Sequence, residues 1–128
     1  LFDAEMRQKA QNHKEQRGDL FVTVESPMDI ASELQKAKAP VLVECLGMWI
    51  NNMIYHGKTD DEIIAHTSKL LAEADNIVFV LTDVSGGIVS ENPDVRRYVD
   101  LCGIIGQMVA TACDEVYLCA VGLSVRMK

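Results

Sequence analysis

The chain has 128 residues, enough for one domain with a sizeable core and too few for two. Its formal net charge of -7, with no Lys/Arg cluster, excludes a nucleic-acid groove, so an anionic ligand would have to be held locally by backbone amides or a metal. Hydrophobic residues at 48%, charged residues at 24%, no run of transmembrane length and no signal peptide predict a soluble, cytoplasmic chain without membrane insertion.

The chain opens at Leu1 rather than methionine and goes straight into helical sequence, which predicts a segment upstream. Asp3 to about Gln16 reads as an exposed helix, acids early and bases late, with Met6 and Ala10 as its apolar anchors and Gly18 as its stop. Leu20 to Val24 is a β-branched and aromatic run, expected as a strand. Ser26-Pro27 supplies a capping hydroxyl and a first-turn proline, predicting a helix to about Lys38 with Ile30, Leu34 and Ala37 buried.

Pro40 to Cys45 then reads as the central strand. Its apolar positions do not alternate, as expected when both faces of a parallel sheet are covered, and it ends in Glu44. An acid at the carboxyl end of such a strand either meets a metal or a phosphate's magnesium shell, or caps the following turn.

A helix is expected from Met48 to His56, closed by Gly57. Thr59 caps the next, Asp60 to Ala74, whose stripe is Ile63, Thr67, Leu70 and Ala74, with Ile64 and Leu71 beside it. Ile77 to Leu81 is a second unbroken apolar strand, followed by Thr82 and Asp83. The loop from Ser85 to Asn92 lies where such sheets bind ligands. Asn92-Pro93 starts the longest helix, to about Cys113, with core positions Val95, Tyr98, Cys102, Ile105, Val109 and Ala112. Glu115 to Val121 and Ser124 to Met127 are strands joined at Gly122, a connection short enough only for an antiparallel hairpin. Alternating strands and helices predict a single α/β domain over residues 1–128 with a mostly parallel sheet and an antiparallel edge.

Two motifs are only apparent. Gly57-Lys58-Thr59 resembles the end of a P-loop, but position 52 is Asn and a helix precedes it, so a helix stop followed by a helix cap explains all three residues. Gly86-Gly87 is a hinge rather than a dinucleotide cradle. Cys45, Cys102, Cys113 and Cys119 lack C-x-x-C spacing and read as small hydrophobes, and His13, His56 and His66 lack zinc-ligand spacing. By itself His13 reads as a surface residue.

The order and spacing of Gln11-Asn12-His13-Lys14, of Arg17, Phe21 and Glu25 at four-residue steps, of Val43-Glu44-Cys45-Leu46 with Trp49 and Asn52, of Gly87-Ile88-Val89 with Glu91-Asn92, and of the tail from Ala112 to Leu118 with Val121-Gly122-Leu123 are those of a known family. The chain resembles the bifunctional adenosylcobinamide kinase and adenosylcobinamide-phosphate guanylyltransferase of cobalamin biosynthesis. This resemblance implies a P-loop, RecA-like three-layer sandwich and a homotrimer. It implies ATP or GTP, adenosylcobinamide and magnesium as partners. His13 matches the histidine that carries GMP, Glu44 the catalytic acid that acts on magnesium directly or through water, and Arg17, Glu25 and Asp83 are implied nucleotide contacts.

Departures from the family pattern are Gly47 for threonine, Ser90 for proline, Val99 for arginine and Gly106 for asparagine, and Thr82-Asp83-Val84 is one residue short. The family's P-loop and its strand are expected upstream of Leu1, leaving this chain as roughly the C-terminal three quarters of the nucleotide-binding domain and inactive alone. With that strand placed between residues 41–44 and 77–81, the resemblance predicts that the two runs pair directly here or that another segment fills the gap. Two readings are open at this point, a fragment of a working enzyme or a degenerate relative kept as a binding or assembly module. An unrelated P-loop kinase domain is a third.

Overall fold

The computed structural model describes residues 4–38 and 40–128. A parallel pair lies at its centre, β1 (Val41–Val43) against β2 (Ile77–Phe79), in register Val41 to Ile77, Leu42 to Val78 and Val43 to Phe79. The two runs pair directly. Val80 N–H donates to Val43 C=O at 3.0 Å and Leu46 N–H to Val80 C=O at 2.9 Å, so the pairing continues past both strands toward Glu44 and Leu81.

One face of the pair, carrying Val41, Val43, Ile77 and Phe79, packs on the core. The other presents Leu42, Val78 and Val80, with Val78 61% exposed. Unbroken apolar runs predict cover on both faces; among the described residues the helices supply it on one, giving two layers rather than three. That cover comes from α2 (Ile30–Lys36), α3 (Leu46–Tyr55), α4 (Asp60–Ala72) and α5 (Pro93–Ala112). Leu46, Ile50, Met53, Ile63, Leu70, Leu101 and Ile105 are essentially inaccessible and form the centre of the core.

α1 (Ala4–Arg17) precedes them and buries no residue. Pairs one turn apart support it along its surface: Lys9 with Glu5 at 2.6 Å, Gln8 with Asn12 at 2.9 Å and Gln11 with Glu15 at 2.8 Å. Asp3, its expected first residue, lies outside the described residues. Gly18 adopts φ +55°, a conformation favourable only without a Cβ, and a 3-10 turn (Gly18–Leu20) follows.

The strand expected at Leu20 to Val24 is absent. Residues 21–26 have no regular structure, and Leu20, Phe21, Val22 and Val24 are exposed, Val22 at 94%. β-propensity reflects fit to a half-buried pleated surface, and among the described residues no neighbouring strand offers one.

The helix expected from Ser26-Pro27 begins instead at Ile30, with Asp29 as its cap. Asp29 accepts from Ser32 N–H at 3.2 Å and from the Ser32 hydroxyl at 2.6 Å, which holds its carboxyl below the usual range. Side chains of α3 take the preceding carbonyls. Asn52 Nδ2 donates to Pro27 C=O at 3.3 Å and Trp49 Nε1 to Met28 C=O at 2.7 Å, drawing residues 27–28 out of helical geometry.

α4 starts at the expected Thr59 with a reciprocal capping box. Glu62 N–H donates to Thr59 Oγ1 at 3.3 Å and Thr59 N–H to Glu62 Oε2 at 2.8 Å, while Lys58 reaches Glu62 Oε1 at 2.9 Å. The Lys58 bond first, then the Thr59 N–H, lower the Glu62 pKa to about 2. A carboxyl depressed on folding stabilises fully above its unfolded pKa, and that contribution fades as pH falls through the folded value. The thermal midpoint should therefore drop between about pH 4.5 and pH 2, and Glu62→Gln should reduce the drop. An unchanged pH slope in that variant would remove the box from acid stability.

α5 begins as expected, with Asn92 Oδ1 accepting from Asp94 N–H at 2.8 Å and Pro93 in the first turn. Its buried stripe is Leu101, Cys102, Ile105 and Val109; Leu101 is added to the expected set, while Val95 and Ala112 are exposed. A helix of 20 residues is about 30 Å long and overhangs this core at both ends.

The expected hairpin forms from β3 (Tyr117–Ala120) and β4 (Leu123–Arg126) through a Val121-Gly122 turn with φ of 49° and 80°. It is a separate two-stranded sheet, not an edge of the parallel pair. Lys128 ties it to the end of α5, donating to the carbonyls of Ala110, Thr111 and Cys113 at 3.2, 3.0 and 2.6 Å. Among the described residues no helix is long and apolar enough to cross a membrane.

Candidate active site

β1 ends one residue before Glu44, so its carboxylate emerges at the carboxyl end of the parallel pair, where open α/β sheets bind ligands. Its two oxygens face different partners on α1. Arg17 Nη1 donates to Oε2 at 2.5 Å, and His13 Nδ1 stands 3.8 Å from Oε1. His13 and Arg17 are four residues apart and share one face of their helix. Two residues with no apolar pattern to mark them, 31 and 27 positions from Glu44, thus meet at one carboxylate.

Exposure separates the three. The His13 side chain is 61% exposed, open to a ligand from solvent, whereas Arg17 is 29% and Glu44 35% exposed. With Nδ1 toward the carboxylate, His13 has Nε2 on the opposite edge of its ring. At 3.8 Å the two groups face each other without a hydrogen bond.

Among the described residues, the other two expected contacts make no hydrogen bond or ion pair with this cluster. Asp83 Oδ1 accepts from the backbone N–H of Ser85 at 2.9 Å and from its hydroxyl at 2.6 Å, a local turn that lowers the Asp83 pKa. Glu25 is exposed on the irregular segment after Phe21, and among the described residues it makes no hydrogen bond or ion pair.

Tyr98 is a site neighbour assigned only to the core by its helical spacing. Its hydroxyl reaches from α5 to the start of α3, where a Cβ on Gly47 would lie 2.8 Å from Tyr98 Oη and 3.5 Å from Cys45 Sγ. Burial raises the phenol's pKa, and its bond to Cys102 adds to the shift. Cys45 Sγ is 3.9 Å from the Thr82 hydroxyl, linking the ends of the two strand segments. The sequence signal for this packing was the glycine itself, placed in the first turn of a helix.

No group of three or more His, Cys, Asp or Glu side chains that could hold a metal occurs among the described residues. Glu44 fits a magnesium site of a sparser kind. Magnesium commonly takes one or two carboxylates and draws its remaining ligands from phosphates and water, and Oε1 has no donor within hydrogen-bond distance.

The family model described as cobinamide kinase / cobinamide phosphate guanyltransferase matches residues 1–127. Among curated relatives, the bifunctional adenosylcobalamin biosynthesis protein CobU of Salmonella typhimurium is 29% identical over 147 residues, covering 100% of this chain and 81% of its own. The protein CobP of Pseudomonas aeruginosa, named for the same bifunctional role, is 29% identical over 132 residues, covering 98% of this chain and 76% of its own. The CobU protein of Escherichia coli is 27% identical, with 100% and 81% covered.

Proposed function

From the premise that this chain belongs to the cobinamide kinase / cobinamide phosphate guanyltransferase family, we propose that it phosphorylates adenosylcobinamide and then transfers GMP from GTP to the new phosphate through His13. The observation that carries this reading is the approach of His13 Nδ1 to Glu44 at the carboxyl end of β1. It leaves Nε2 as the nucleophile, backed by a carboxylate.

In the guanylyl step, Nε2 attacks the α-phosphorus of GTP, an N–P bond forms, the bond to the bridging oxygen breaks and pyrophosphate leaves. The imidazolium is stabilised by Glu44 and returns to neutrality by losing its Nδ1 proton. Nδ1 then takes a proton back from solvent, a phosphate oxygen of adenosylcobinamide phosphate attacks the same phosphorus to form the phosphoanhydride, and the N–P bond breaks to release His13 as neutral imidazole. Dividing the transfer in this way replaces one difficult displacement by two easier ones.

In the kinase step the nucleotide supplies its γ-phosphoryl to the corrinoid hydroxyl. Magnesium bound with the nucleotide at Glu44, directly or through water, would neutralise charge on the phosphates. Glu25 and Asp83 complete the proposed nucleotide contacts, a role supported by the exposure of both carboxylates.

A P-loop, RecA-like fold belongs to the same proposal, supported by the parallel pair with an acid just after β1. So do a homotrimer and a cytoplasmic location; the exposed apolar side chains of Leu118, Leu123 and Val125 on the hairpin offer surface for assembly. The reading of the chain as a module without catalysis is not favoured, because the family match runs through residues 1–127.

The test is to incubate the full-length protein with GTP labelled at the α-phosphate, and separately with ATP, magnesium and adenosylcobinamide. We expect covalent label that is acid-labile and alkali-stable, as a phosphoramidate is, and a phosphorylated corrinoid. Finding neither would reject the assignment.

A further inference from the structure

We propose that Arg17 is a positioning residue, which seats α1 on Glu44 and thereby aims His13, rather than a nucleotide contact. The inference rests on the reading of His13 as the group that carries GMP.

Three observations carry it. First, α1 fully buries no residue, and its apolar anchors Met6 and Ala10 are only partly covered, so a buried stripe does not by itself fix its angle or its rotation about its own axis. The reach from α1 to the end of β1 is made by Arg17 and His13, both to the same carboxylate. Second, Arg17 is the more enclosed of the pair, and its Nε is buried without a hydrogen-bond partner among the described residues. A guanidinium held inward through Nη1, with Nε enclosed, is not free to turn toward an incoming phosphate without giving up Glu44. Third, the carboxylate is divided: Oε2 accepts from Arg17 and Oε1 faces His13. An arginine–carboxylate pair is often a two-pronged fork that occupies both oxygens. The single-pronged bond here leaves the second oxygen for the imidazole.

Arg17 therefore has two linked effects. It holds the rotamer of Glu44 so that Oε1 points at His13, and it holds the helix that carries His13 one turn away. A lysine at 17 would keep the charge but lack the planar group that fixes the carboxylate's plane.

The experiment compares Arg17→Ala, Arg17→Gln and Arg17→Lys with the parent in the full-length protein. Steady-state transfer of labelled GMP from GTP to adenosylcobinamide phosphate separates the two roles. Positioning predicts a fall in kcat of about tenfold or more, a KM for GTP changed less than about threefold, and partial recovery in the lysine variant. A rise in KM with kcat unchanged would overturn the proposal in favour of direct nucleotide contact.

Hydrogen exchange gives a reading independent of activity. Amides of residues 4–17 should exchange at least about tenfold faster in Arg17→Ala, comparably in Glu44→Ala, and no faster in the double variant, because both remove one tether. Unchanged protection in Arg17→Ala or Arg17→Gln would overturn the proposal. Should the parent form no adduct, the assigned function fails, while the exchange result still decides whether Arg17 seats the helix.

Discussion

Replacing His13 with alanine is expected to abolish the covalent GMP adduct and to leave phosphorylation of adenosylcobinamide largely intact. Alanine removes the only atom that the proposed mechanism bonds to phosphorus. Glu44 is committed to Arg17 through one oxygen, and an acyl phosphate formed through the other would not survive alkali as a phosphoramidate does. Loss of adduct should exceed about a thousandfold, the scale expected when a nucleophile rather than a supporting group is deleted. The kinase step asks the protein for positioning and charge stabilisation, to which an imidazole 61% exposed on α1 adds little. His13→Ala taking up label at the parent's level would remove this residue from the chemistry.

The two helices with strong local signals, α4 and α5, were legible in the sequence because their ends and stripes are written in neighbouring residues. Thr59 with Glu62, Asn92 with Pro93, and Ile63 with Thr67 and Leu70 all act within one or two turns. The unbroken runs at Val41 and Ile77 likewise identified a parallel pair. What escaped was decided by groups distant in sequence. Ser26 has the chemistry of a cap, but Trp49 and Asn52, more than twenty residues on, take the carbonyls that a helix there would need. Leu20 to Val24 has the composition of a strand and no strand to pair with among the described residues. The expected double cover of the sheet failed for the same reason: pattern reports apolarity, while the covering element is a matter of the whole fold.

At the site, Glu44 was legible from its position after a buried strand. His13 was not, since its helix carries only Met6 and Ala10 as apolar anchors and no local motif, and it stood out only through the family's spacing. The Arg17–Glu44 bond spans 27 residues and left one trace, the i, i+4 spacing of His13 and Arg17. Asp83 also carries a local signal, an aspartate two residues before a serine, and its Oδ1 closes the turn that this spacing favours.

Position 47 gives the second large effect. The resemblance implies threonine there, yet Gly47→Thr in this chain should destabilise the fold by about 1 to 3 kcal/mol, the usual cost of overpacking a filled interior. A Cβ at 47 would lie 2.8 Å from Tyr98 Oη, inside any real carbon–oxygen contact, and 3.5 Å from Cys45 Sγ. Gly47 is buried, and Tyr98 cannot swing aside freely, being half-buried on α5 and bonded to Cys102. Leaving glycine improves helix propensity by a few tenths of a kcal/mol, which is too little to reverse the sign. Adding Tyr98→Phe deletes the clashing oxygen, so the double variant should be more stable than the sum of the two single effects by about 1 to 2 kcal/mol, a coupling expected only of residues in contact. Thermal denaturation of the parent, both single variants and the double variant measures it. If Gly47→Thr melts with the parent, or if the two effects add, Tyr98 does not occupy the space that the side chain at 47 would take.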